Sequence, residues 1–253
     1  MLTEAMPGQR SVSVSATVAV GSRDEHDGHH GSTHFLEHLL FKGTTRRDAL
    51  DIAEAFDEVG GEANAATGKE STSYFARVLD ADRAMAVDVL LDMVTSATLD
   101  PREFELERGV ILEEIAMAED DPADVVHETF TGAVFAGHAL GRPIGGTPAT
   151  IRAVPRDAVA EHYRRTYTPA ELVVTAAGEW TTTSCARRCS RVRPRVAGDS
   201  TATPARSPAA ARRRSRTPPA PPPPCAARPS RRTCCSAVAA RPRAIRAASR
   251  CPC

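Results

Sequence analysis

Cysteine is absent from residues 1–180 of this 253-residue chain; all seven (Cys185, Cys189, Cys225, Cys234, Cys235, Cys251 and Cys253) fall in residues 181–253. Their number is odd and no spacing forms a paired C-x-x-C framework, so neither a cysteine-held metal nor a disulfide scaffold is expected. Residues 181–253 also lack Leu, Phe, Tyr, Met and Lys, contain a single acid, Asp199, and hold 12 of the 19 prolines. That composition cannot bury enough apolar surface to offset the entropy of ordering a chain, so disorder is predicted there. No apolar run is long enough to cross a membrane. The first ten residues lack the basic-then-apolar start of a secretory signal. A cytoplasmic location is therefore expected, with no membrane partner.

The formal net charge of zero conceals an asymmetry. Residues 1–180 carry 15 Lys+Arg against 31 Asp+Glu, a net of −16, while residues 181–253 carry 17 Arg and one acid, a net of +16. The expected organisation is one domain over 1–180, long enough for a genuine core, followed by a disordered Arg/Pro/Ala/Cys-rich tail over 181–253. Three readings of the tail stand: out-of-frame translation of a GC-rich gene, a native disordered arm that binds nucleic acid or an acidic surface through its arginines, or an inert extension. Aromatic residues for base stacking are missing from it, so nucleic acid is not the expected partner.

Within the first part, alternation over residues 11–20 predicts a half-buried strand. Thr45 is expected to cap a helix reaching about Val59, with Leu50, Ile52, Ala53 and Phe56 inward and Gly60-Gly61 ending it. Strands are expected over about 62–67 and 71–79. Asp80 or Asp82 starts a helix through Met85, Val89, Leu90 and Met93. Further helices are expected over 101–117, from Asp121-Pro122 through Val125, Val126 and Phe130, and over 155–165, with a last strand over 171–177. Strands and helices do not alternate in regular β-α units, so the expected class is α+β.

His34-Phe35-Leu36-Glu37-His38 carries the chemistry. On a helix, His34 and His38 stand one turn apart and project from the same face, where two imidazoles can hold one Zn²⁺. Glu37 is then close enough to reach a water at that metal. The order H-x-x-E-H is the reverse of H-E-x-x-H and is the inverzincin signature. A catalytic zinc usually takes three protein ligands, so a third is required. Residues 101–117 read as a helix with Asp100 as N-cap and Pro101 in the first position. Its apolar positions are Phe104, Leu106, Val110, Ile111 and Ile115. Glu107 and Glu114, seven residues apart, share a face, and Glu113 is turned about 100° away. Such a pair can supply a ligand and a supporting group, or can simply be a solvated acidic face.

Thr33-His34-Phe35-Leu36-Glu37-His38-Leu39-Leu40-Phe41-Lys42-Gly43-Thr44 resembles the zinc helix of the pitrilysin-like metallopeptidase family, above all its mitochondrial-processing-peptidase-like branch. Glu107-Arg108-Gly109-Val110-Ile111-Leu112-Glu113-Glu114 resembles that family's second motif. Gly21-Ser22-Arg23-Asp24-Glu25, Gly60 to Thr67, Glu70 to Tyr74 and Gly141 to Gly146 match in order around and between them. The resemblance spans roughly residues 10–178 and stops abruptly near Glu179, which favours the out-of-frame reading of the tail. It implies a zinc endopeptidase in which His34, His38 and Glu114 bind Zn²⁺ and Glu37 exchanges protons with the attacking water and the leaving amine. It further implies that Glu107 supports the metal site and that Asn64 and Ala65 belong to an edge strand which an extended peptide joins. A second similar α+β half or a partner subunit is implied as well. A catalytically silent structural or assembly subunit is the alternative, and nucleic-acid binding through the basic tail is a further one.

Overall fold

The computed structural model describes residues 1–179 together with Cys189. The expectations for the remainder of 181–253 lie outside the described residues. Five strands form one sheet: β1 (Leu2–Ala5), β2 (Ser11–Val18), β3 (Glu62–Thr67), β4 (Thr72–Leu79) and β5 (Leu172–Gly178), in the order β1-β5-β2-β4-β3. Only the β1–β5 pairing is parallel, running from Leu2 opposite Thr175 to Ala5 opposite Gly178. The sheet is therefore mixed, as befits an α+β class. β1 was not foreseen, because four residues are too few to display a period.

Period-2 alternation decides which face is covered. Val12, Val14, Ala16 and Val18 of β2, Tyr74, Ala76 and Val78 of β4, and Val174 and Ala176 of β5 all point into the core. Ser13, Phe75, Arg77 and Val173 stand exposed on the opposite face, over which lies a hollow of about 570 Å³.

Seven helices complete the described fold: α1 (Ser32–Leu40), α2 (Ala49–Asp57), α3 (Arg83–Ser96), α4 (Pro101–Asp120), α5 (Pro122–Val134), α6 (Pro148–Ala153) and α7 (Arg156–Thr166). α3 is apolar nearly all round and sits between two packing clusters. Its Val87, Leu90, Leu91 and Val94 join the main core, while Ala86, Val89 and Met93 meet Ile52 and Phe56 of α2. α1 buries Phe35, Leu36, Leu39 and Leu40, and the Phe35 ring stacks on Phe104 of α4 with centroids 4.3 Å apart. Cys189 is half-buried and packs against the same core. No described helix is long and apolar enough to cross a membrane.

Several details differ from the sequence expectations. The cap of α2 is Asp48, whose carboxylate accepts from the Asp51 amide at 2.8 Å, while Thr45 N–H is bonded to Ser96 O. Leu50, 63% exposed, and Ala53 face outward, since a two-turn helix resting on one side buries only a narrow stripe, here Ile52 and Phe56. On α4 the buried positions are Phe104, Glu107 and Ile111, and Leu106 and Val110 are exposed. The apolar residues of α4 span two faces, and the face that is buried contains a glutamate. α5 forms as expected but buries nothing, leaving Val125, Val126 and Phe130 exposed. The short α6, built around buried Ile151, was not anticipated.

Candidate metal centre

α1 carries both histidines because one side of it is all core and the other faces a groove. Segment 44–47, just beyond its C-terminus, is clamped onto α3 through buried Asp92. That carboxylate accepts from Thr44 Oγ1 at 2.8 Å, Arg46 Nε at 3.0 Å and Arg47 Nη1 at 2.7 Å. α4 crosses α1 at the Phe35–Phe104 stack, and this brings the second half of α4 alongside the imidazoles. Arg108 fixes that crossing: it lies over the Phe104 ring at 4.9 Å and donates to the carbonyls of Ile151 in α6 and of Val154 just after it.

Three donor atoms converge there. His34 Nε2 and His38 Nε2 are 3.3 Å apart. Glu114 Oε2 lies 3.4 Å from His38 Nε2 and 3.8 Å from His34 Nε2. Zinc bonds of about 2.0–2.2 Å at tetrahedral angles put neighbouring donors roughly 3.3 Å apart, so this triangle matches one face of such a site. Two imidazole lone pairs and a carboxylate directed at one point repel each other unless a cation sits among them. Among the described residues this is the one cluster of His, Cys, Asp and Glu so arranged, and His26, His29 and His30 take no part in it. The residues therefore fit a zinc ion.

Each expected site residue has a defined setting. His38 Nδ1–H donates to Glu107 Oε2 at 3.0 Å, which leaves Nε2 free to point at the centre. Glu107 is buried and its other oxygen pairs with Lys42 Nζ at 2.8 Å. Burial, reinforced by neighbouring His38, holds His34 down to about pKa 4, so it is neutral at ordinary pH and ready to act as a ligand. His34 Nδ1 is buried with no hydrogen-bond partner among the described residues. Glu37 accepts from Thr67 Oγ1 at the end of β3. Near it, the hydroxyls of Tyr74 and Tyr167 are bonded at 2.9 Å in full burial, which pushes both phenols up.

The centre opens into a groove of about 570 Å³. His34, Glu37 and Glu114 line it along with Ala66 and Thr67 of β3, whereas Asn64 and Ala65 lie further along the strand, outside the lining. β3 is the sheet edge. Asn64 Oδ1 accepts from the Ala65 amide at 2.8 Å. Glu119, Asp124 and Glu128 add negative charge to the lining, which includes no Lys or Arg. Sequence reasoning missed Thr67, Lys42, Asp92 and Arg108 as supports. Three of them lie inside or beside recognisable motifs, but the partners named here are 30 to 65 residues away and only the fold pairs them.

The insulinase family (peptidase family M16) matches residues 1–148. An uncharacterized zinc protease of Streptomyces coelicolor is 52% identical over 178 residues, which is 70% of this chain and 39% of that protein. Among solved structures, a protease from Helicobacter pylori superposes with a TM-score of 0.71 at 23% identity, over 80% of this chain and 49% of that one. Pitrilysin superposes with a TM-score of 0.69 at 22% identity, over 76% of this chain and 22% of its own. These two likenesses concern the fold. The chain spans about two fifths of the length of the curated relatives it matches.

Proposed function

The chain belongs to the insulinase family, peptidase family M16, and on that premise we propose that residues 1–180 are the metal-bearing part of a zinc metalloendopeptidase acting on extended peptides. The observation that carries this reading is the donor triangle of His34, His38 and Glu114, with sides of 3.3, 3.4 and 3.8 Å. Bound zinc supplies Lewis acidity, lowering the pKa of water and polarising a carbonyl. The chain's own groups do the rest. Glu37, at the floor of the groove and anchored through Thr67, takes the proton of the attacking water and returns it to the departing amine. Glu107 keeps His38 in the tautomer whose Nε2 lone pair faces the centre.

The peptide joins the free edge of β3 as an added strand, near Asn64 and Ala65, with its scissile bond toward Glu37. Main-chain pairing of that kind selects extended or unfolded peptides over folded proteins. The acidic lining of the groove attracts peptides bearing Lys or Arg, an effect on encounter rate that weakens with salt. A second half, or a partner subunit, closes the groove in the active assembly; this is supported by the chain's short span relative to its relatives.

Zinc stoichiometry and cleavage of unstructured peptides, measured on the whole chain and on Glu37→Gln, test the reading. One zinc in each protein is expected, with cleavage lowered by roughly 1,000-fold in the variant. Zinc without cleavage in the unmodified chain, alone and with added relatives' C-terminal halves, would favour a silent structural subunit.

A further inference from the structure

Glu25 is a buried acid, 7% exposed, and nothing in the chemistry above uses it. Its side chain lies under the start of α1. Oε2 accepts from the Gly31 amide at 2.9 Å and Oε1 from the Thr33 amide at 2.7 Å. A helix leaves its first amides without partners, and the residue before it normally supplies a side-chain oxygen. Here that residue is Gly31, which has none. Gly31 is also irreplaceable: its φ is +95°, and an added Cβ would come within 2.5 Å of Ile151 Cδ1 and 2.6 Å of Gly145 O. Packing against segment 145–151 thus forbids a local cap, and a carboxylate from six residues upstream takes its place. Its charge is well sited at the positive end of α1.

His34 follows Thr33 directly in the first turn. The two imidazoles are held by different means. His38 is oriented by a side-chain bond to Glu107, whereas His34 Nδ1 has no partner among the described residues. The position of His34 Nε2 therefore depends on the backbone of the first turn, which is what Glu25 ties down. Thr33 Oγ1 adds a bond to His162 Nε2 of α7 at 3.1 Å, so the turn is also fixed on its core side.

Resting on the metal reading above, we propose that Glu25 is a positioning residue of the zinc site, a detached cap whose two backbone bonds set where His34 presents its nitrogen. Burial pushes its carboxyl up to about 7, against the pull of the two amides.

Glu25→Gln in the full chain tests this. The amide preserves size and one acceptor oxygen but turns an NH₂ toward the second amide, breaking one of the two bonds. We expect native circular dichroism with a melting temperature lowered by several degrees, zinc affinity about tenfold weaker in chelator competition, and an altered d–d spectrum for the cobalt-loaded protein. A well-folded variant with unchanged affinity and an unchanged cobalt spectrum would overturn the proposal. Should the variant not fold, hydrogen exchange on the unmodified, metal-free chain decides: slow exchange at the Gly31 and Thr33 amides supports the cap, and solvent-like exchange overturns it. Failure of the unmodified chain to bind zinc or cobalt would instead sink the metal reading beneath it.

Discussion

On the α1 side of the groove, Phe35, Leu36, Leu39 and Leu40 are buried, and the helix is tied at one end by Glu25 and beyond the other by Asp92. On the α5 side, no residue from Pro122 to Val134 is buried, and Val125, Val126 and Phe130 stand in solvent. The wall that carries His34 and His38 is part of the core. The facing wall gains little from this chain's own packing. Local opening follows buried apolar contact, so α5 is expected to open at a lower free energy than α1. The donor triangle and the opposite wall of the groove therefore draw on different sources of stability.

The contrast can be tested at several strengths. Phe35→Ala empties a fully buried position stacked on Phe104 and is expected to cost about 3–5 kcal/mol in chemical denaturation; a loss below about 1 kcal/mol would mean that the inner wall is not core-built. His162, buried on α7 beneath the start of α1, is next. Burial, then Arg165 and His26, lowers its pKa from 6.5 to about 4, so it is neutral when folded and protonates first when unfolded. Its contribution is present above pH 6.5 and is lost as pH falls toward 4, on the order of 3 kcal/mol over that range. Glu25, raised to about 7, works in the opposite sense between 4.5 and 7. The difference between stability–pH curves of the unmodified chain and His162→Gln isolates the histidine, and parallel curves would remove it from the account.

Glu107→Ala releases His38 Nδ1 and should weaken zinc binding by roughly 10–100-fold, read by chelator competition. Undiminished affinity would show that packing alone aims the ring. At the weak end, Phe130→Ser on the outer wall should change stability by no more than about 0.5 kcal/mol. A large loss would mean that α5 is covered in solution after all.

Much of this architecture was readable beforehand, for identifiable reasons. β2 and β4 alternate because one sheet face is covered and the other is not. The capped start of α4 at Asp100-Pro101 is local chemistry, visible in two residues, and the carboxylate accepts from the Arg102 amide at 2.7 Å. The spacing of His34 and His38 forecast a shared face, and Glu107 with Glu114 likewise, but spacing left the acidic pair open and it was the family resemblance that singled out Glu114 as the third donor. Long-range packing stayed hidden. That Glu107 belongs to the buried face of α4, while Leu106 and Val110 do not, depends on where α1 crosses. Thr67 becomes a partner of Glu37 only because β3 ends beside α1. Asp48 displaced Thr45 as the cap of α2 because segment 44–47 is committed to Asp92.

Asn64, by occupying the amide of its own neighbour Ala65, shields one donor on the sheet's outermost strand. A stray β-segment from another molecule finds that position already satisfied and gains little by docking. A peptide that adds to this edge as proposed above must first swing the carboxamide aside by side-chain rotation to take over the vacated hydrogen bond. The border of the sheet thus carries one masked donor, which lowers the gain from indiscriminate strand pairing.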